Sequence, residues 1–99
     1  MPNPIHRLNK AFDSRIRLGI MALLMVNDKL DFNTLKTTLE LTDGNLASHL
    51  NALEQLSFVL VQKQFIGKKP NTTYSATVAG REAFKKHIDG LEQLIRKDT

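Results

Sequence analysis

The run Thr42, Asp43, Gly44, Asn45, Leu46, Ala47, Ser48, His49 puts an amide, two hydroxyls, a carboxylate and an imidazole within two helical turns. An asparagine amide offers a donor and an acceptor side by side and matches adenine in a major groove. Ser48 and His49 can reach a base or a phosphate, and Gly44 permits close backbone approach. The free N–H groups at residues 42–45, a helix start, suit a phosphate oxygen. Asp43 opposes phosphate at its own position but can accept from cytosine. A second group follows in Lys63, Lys68 and Lys69, with Asn71 and Thr72. Ammonium groups that neutralise phosphates release counterions and make binding salt-dependent. Asn71 and Thr72 add neutral phosphate contacts, and Gly67 and Pro70 shape a tip able to reach a minor groove. A polar helix face is often only solvated, and edge lysines also block strand-to-strand aggregation. Together, though, the two groups point to double-stranded DNA.

Other chemistry finds little support. The 99 residues include no Cys, which excludes a disulfide framework, a Cys-ligated zinc site and a catalytic thiol. His6, His49 and His87 are too scattered for a metal cluster; His6 and His87 read as surface residues. Asp13, Asp31 and Glu40 form no pair for acid–base work. No phosphate-binding loop, dinucleotide glycine pattern or nucleophile motif is present. The expectation is no enzyme, no metal and no cofactor. Met21 and Met25 read as core filling. Lys+Arg number 14 against 10 Asp+Glu, a formal charge of +4 that agrees with a polyanionic partner. No apolar run approaches the ~18 residues of a membrane span. The N-terminus is polar, so the expected location is cytoplasmic, without membrane contact.

The elements that must position these groups follow from periodicity. Pro2 and Pro4 resist helix; Ile5, Leu8 and Phe12 then suggest a short helix or ordered arm over 1–12. Ile16, Ile20, Leu23 and Leu24 mark a helix over 14–26, capped by Asp13 or Ser14. Leu30, Asp31 and Phe32 read as a short extended stretch. A helix over 34–39 starts from an Asn33 cap, with Leu35 and Leu39 on its apolar face. Thr42 caps a third helix ending near Leu56, whose stripe is Leu46, Leu50, Leu53 and Leu56. Strands at 58–65 and 72–76 flank a turn-rich loop over 66–71. Thr77 caps a last helix from Val78 to about Arg96, in which Gly80 and Gly90 are weak points.

This order is that of a winged helix-turn-helix: mainly α, with a three-helix core and a small hairpin of two or three strands. The segments FDSRIRLGIMALL, LDFNTLKTTLELTDGNLASHLNALEQLSFV, VQKQFIGKKPNTTYSAT and VAGREAF resemble the MarR/ArsR-like winged helix-turn-helix transcriptional regulators, especially the small stand-alone ones. The resemblance covers about residues 12–85. It departs at Ser57, where the family usually has glycine, and it lacks the cysteine metal motif of ArsR-type sensors. It implies a DNA-binding core over 13–77, with residues 42–49 as the start of the recognition helix and the lysine hairpin as wing. Residues 78–99 then form a dimerisation helix, with Phe84, Ile88, Leu91, Leu94 and Ile95 at a two-fold interface. The expected function is a sequence-specific transcriptional regulator, a repressor acting as a homodimer on a pseudo-palindromic operator. The alternative is a winged-helix module that binds another protein. Arg15 and Arg17 can touch the DNA backbone or a partner subunit, or be solvated. No residue cluster specifies a small-molecule effector; the crevice between the last helix and the DNA-binding lobe is the place left for one.

Overall fold

The computed structural model describes residues 3–96. The expectation for Pro2 and the ends of the terminal segments, residues 1–2 and 97–99, lie outside the described residues. Two single 3-10 turns, Pro4–Arg7 and Lys10–Phe12, lead into α1 (Arg15–Val26), β1 (Leu30–Asp31), α2 (Phe32–Leu39), α3 (Asp43–Gln55), β2 (Val59–Ile66), β3 (Lys69–Ala76) and α4 (Val78–Ile95). The strands form one antiparallel sheet in the order β1-β3-β2. This is the winged helix-turn-helix that the periodicities predict.

Each α-helix starts on a side-chain cap that satisfies one free N–H of its first turn. Ser14 Oγ accepts from Arg17 N at 3.3 Å, and Thr42 Oγ1 from Asn45 N at 3.2 Å. Thr77 Oγ1 accepts from Gly80 N at 2.9 Å. The cap of α2 differs from expectation. Asp31 Oδ1 accepts from Thr34 N at 2.7 Å, so the helix begins at Phe32 and Asn33 lies inside it. Asp31 therefore ends β1 and starts α2, which leaves no room for a longer extended stretch. Its hydrogen bonds to Thr34 hold its carboxyl below the ordinary 3.8.

The loop expected over 66–71 is only a two-residue turn, because β3 starts at Lys69 and Ile66 pairs with Lys69. Gly67 has φ 65° while Lys68 stays at negative φ, the pattern of a type II′ turn, whose twist matches that of the strands. Pro70 is tolerated in β3 because it pairs with Phe65 at a position without ladder bonds between the two strands, and β1 ends short of it.

Ser57 has φ 63°. Ser57 N donates to Glu54 O at 2.9 Å and Phe58 N to Leu53 O at 3.0 Å, which closes α3 with a Schellman motif. Serine thus occupies the left-handed position that glycine takes more readily.

The core joins Phe12, Ile20, Met21, Leu24, Leu35, Leu46, Leu50, Leu53, Val59 and Phe84. Leu56, placed on the same stripe by its spacing, is exposed because α3 has ended before it. The ring of Phe12 stacks on Phe58 with centroids 5.7 Å apart and meets Phe84 and His87 edge-on, both at 5.3 Å. Two expectations change here. Phe84 belongs to the monomer core and not to an exposed interface stripe. His87 is buried, and its Nδ1 accepts from Asn9 N at 2.9 Å, so it tethers the N-terminal segment instead of facing solvent.

The glycines of α4 mark close approaches. A Cβ at Gly90 would stand 2.7 Å from Arg7 Cβ, so the first 3-10 turn lies directly on α4. A Cβ at Gly80 would stand 2.2 Å from Phe58 O. Arg81 crosses to α1 and donates to Leu24 O at 3.2 Å and Met25 O at 3.3 Å, capping its C-terminus. The radius of gyration is 15.1 Å, against ~13 Å for a compact chain of this length. The wing and the end of α4 extend from the core, over 56 × 25 × 21 Å.

Gly80→Ala should lower unfolding free energy by about 2 kcal/mol or more, since backbone must move to admit the methyl. Urea unfolding checks it; an unchanged midpoint would mean that the Phe58–Gly80 approach is not tight.

Candidate nucleic-acid interface

Burial of Leu46, Leu50 and Leu53 turns the opposite face of α3 outward. At ~100° per residue that face carries Gly44, Ser48, Asn51 and Gln55, all exposed. Asn45 and His49 flank it on the α1 side, and Ala47 and Glu54 on the wing side. Asn51 joins the face beyond the residues expected from the sequence; its helical spacing from Ser48 is the signal that marks it.

The expected contact residues divide by what already holds them. The hydroxyl of Thr42 is engaged in the cap. Asp43 Oδ1 lies 2.8 Å from Lys36 Nζ, an ion pair between α2 and the first turn of α3. Both partners are well exposed, so the pair adds little stability, but the carboxylate assigned to cytosine already has a cation beside it. Gly44 faces open space: an added Cβ there would meet nothing within 4 Å. No packing inside the chain requires glycine at this point.

The wing meets α3 across a crevice in which Ala47, Asn51 and Glu54 face Val61, Lys63 and Tyr74. Lys63 shares a sheet face with Val61 and Phe65 by strand alternation. Burial, and then the charge of Glu54, push the Tyr74 phenol above its ordinary 10.0. Further out, Lys68 and Lys69 are exposed, while Asn71 and Thr72 are half-buried. Phe65 and Ile66 are 73% and 64% exposed at the tip. The sequence places Phe65 at the end of a strand and Ile66 in the following loop; their exposure follows from β2 running past the core that covers Val59.

His49 is half-buried. Arg17 Nε donates to its Nδ1 at 3.0 Å, joining α1 to α3 across 32 residues. Burial, and then the Arg17 charge, hold the imidazole below its ordinary 6.5. No local pattern in the sequence marks this pair. Arg15 opens onto a groove of about 620 Å³ shared with Gly19, Thr38 and Asn45. A crevice between the N-terminal turn and α4 is lined by Asn3, His6, Arg7, Lys86 and Gln93; it is not the one expected between the last helix and the DNA-binding core. Among the described residues no three His, Cys, Asp or Glu side chains are grouped to hold a metal ion. No described helix is long and apolar enough to cross a membrane.

An exposed polar helix start beside a lysine-bearing hairpin on a three-helix core defines a winged helix-turn-helix. The family model for the winged helix DNA-binding domain matches residues 16–95, and the chain belongs to that family. It is 44% identical over 87 residues to an uncharacterized protein of Methanocaldococcus jannaschii, across 88% of this chain and 95% of the relative. A transcriptional regulator homologue from Pyrococcus horikoshii OT3 superposes with a TM-score of 0.85 at 31% identity, covering 96% of this chain and 95% of that one. Reduced AbfR, solved bound to DNA, shares the fold with a TM-score of 0.77 at 17% identity, over 96% of this chain and 68% of AbfR.

The folded-state pKa of His49 lies below its unfolded value. The stability linked to the neutral ring is therefore present above about pH 6.5 and declines as pH falls through that value. NMR titration of the ring should give a midpoint below 6.5 in the wild type and a higher one in Arg17→Gln. An unchanged midpoint in the variant would show that the guanidinium does not act on the ring.

Proposed function

We propose that the protein is a sequence-specific transcriptional regulator that binds a pseudo-palindromic operator as a homodimer and represses by occlusion. The observation that carries the reading is an exposed polar face on α3 that stands across a crevice from the wing strand bearing Lys63, the strand that leads on to the exposed Lys68 and Lys69. A helix of this diameter fits a major groove, with its N-terminal residues at base edges. Gly44, Asn45, Ser48 and His49 would lie there, joined by Asn51, while Thr42 and Asp43 shape the helix start. Lys63, Lys68 and Lys69 would neutralise phosphates, with Asn71 and Thr72 beside them. The members of the winged helix family support the same reading, as does the fold shared with DNA-bound AbfR. The protein would work in the cytoplasm without an enzymatic step. Exposed Phe65 and Ile66 favour one competing reading, a wing that docks on an apolar surface of another protein.

Fluorescence anisotropy with a mixed-sequence duplex tests the choice. Binding should be measurable at about 50 mM salt and weaken steeply by about 200 mM. Replacing Lys68 and Lys69 by Ala should lower the salt slope by about one for each lysine. Gly44→Ala should keep the fold and weaken binding, because only an outside surface meets the new methyl. Absence of binding at low salt would favour the protein-docking reading.

Dimerisation is inferred from α4. Ile88, Leu91, Leu94 and Ile95 are 38%, 47%, 45% and 74% exposed. Ile5 adds a further exposed side chain from the arm. Such a stripe is costly to leave in water, and two-fold pairing would set two recognition helices ~34 Å apart along DNA. The division into arm, core over 13–77 and pairing helix over 78–99 belongs to this proposal. Leu91→Glu should halve the mass seen by sedimentation equilibrium; a variant that keeps the wild-type mass would place the subunit contact elsewhere.

A further inference from the structure

Arg17 stands apart from the other surface cations. It belongs to α1, not to α3 or the wing, yet its Nε–H is directed at a side chain of the recognition helix. Among the described residues no carboxylate forms an ion pair with it, so its charge is not locally neutralised. The hydrogen bond has a consequence for the ring that receives it. A neutral imidazole carries one proton, and a nitrogen that accepts a hydrogen bond cannot bear it. With Nδ1 accepting from Arg17, the proton sits on Nε2. The edge of His49 turned away from Arg17 is then a donor only.

We propose that Arg17 is a positioning residue for base reading: it locks His49 as the Nε2–H tautomer, so that His49 offers a single N–H donor to an acceptor on a major-groove base edge. This inference rests on the reading of α3 as the recognition helix. The partners of such a donor are guanine O6 and N7, adenine N7 and thymine O4; the amino groups of cytosine and adenine are excluded. An unrestrained imidazole would exchange between tautomers and serve donors and acceptors alike. Locking one tautomer turns an ambiguous side chain into a selective one, in the way a hydrogen-bond partner fixes the outward nitrogen of a metal-binding histidine. Arg17 can do this because a guanidinium supplies N–H donors only and has no acceptor. The N-cap of α1, Ser14, fixes the start of the helix that carries it.

Two readouts test the proposal, one without DNA and one with it. Long-range proton–nitrogen NMR of the free wild-type protein should show His49 as the Nε2–H tautomer, and Arg17→Gln should show both tautomers. Selection from a random duplex library should give the wild type a preference for a base with an acceptor at one half-site position. That preference should fall by about tenfold in His49→Ala. In Arg17→Gln it should fall at the same position, with no further loss in the double variant. Both variants should keep the wild-type melting profile to within a few degrees, which separates a change of reading from a loss of fold. An Nδ1–H ring in the wild type, or an Arg17→Gln selection identical to wild type, would overturn the inference alone. Loss spread evenly over all sequences would show a phosphate contact and overturn it as well. A wild-type protein that binds no duplex would overturn the parent reading and the inference with it, a result distinguishable from the others by the anisotropy measurement.

Discussion

The junction of Ser57 and Phe58 with Thr77 and Gly80 fixes how the parts of this molecule stand to one another. Thr77 N donates to Phe58 O at 3.0 Å and Thr77 Oγ1 to Ser57 O at 2.6 Å. Gly80 lets α4 come so close that no side-chain carbon fits against the Phe58 carbonyl. These contacts join the end of α3, the root of the wing and the start of α4 within a few residues. The Phe58 ring then stacks on Phe12, and Phe12 gathers Phe84 and His87. Through His87 the N-terminal segment is held as well. The angle between α3 and the wing is therefore set by packing behind them, which leaves Gly44, Ser48, Asn51 and Gln55 exposed.

That separation explains the surface chemistry. The apolar side of α3 is consumed by the core, and its cap and first carboxylate are held by Asn45 N and Lys36. What remains outward is neutral and hydrogen-bonding: Gly44, Asn45, Ser48, Asn51 and Gln55. Positive charge lies at the margins, on the wing lysines and on Arg15 and Arg17 of α1. A neutral hydrogen-bonding surface flanked by cations is the arrangement that the proposed DNA groove, lined by base edges and bordered by phosphates, calls for. Glu54, exposed on the wing side of α3, is the one carboxylate lining the crevice.

Much of this was legible in the residues themselves. The leucine spacing of α3, its Thr42 cap, the Thr77 cap and the change of period after Ser57 rest on local rules, and local rules found them. Spacing could not weigh two neighbouring caps, so Asp31, whose oxygen reaches Thr34, replaced Asn33. The turn at Gly67 was shorter than its Gly-Pro-Asn content suggested, because strand pairing extended through Pro70 where no hydrogen bond was needed. The glycines of α4 looked like weak points since propensity treats them alone; their neighbours, Phe58 and Arg7, are distant in sequence. Phe84 and His87 were misplaced for the same reason: the aromatic cluster around Phe12 is assembled by long-range packing. At the site, residue types named the face, but the Arg17–His49 bond and the exposed Phe65 and Ile66 depend on how α1 and the wing are set on the core.

In the proposed complex, α3 and the wing tip form one surface for duplex DNA. Backbone amide shifts of isotopically labelled protein, followed during titration with a short duplex at low salt, test it most directly. Changes should concentrate in residues 43–55 and 63–72, with the stripe from Ile88 to Ile95 unaffected. Shifts confined to α4 and the N-terminal turn, or none at all, would contradict it.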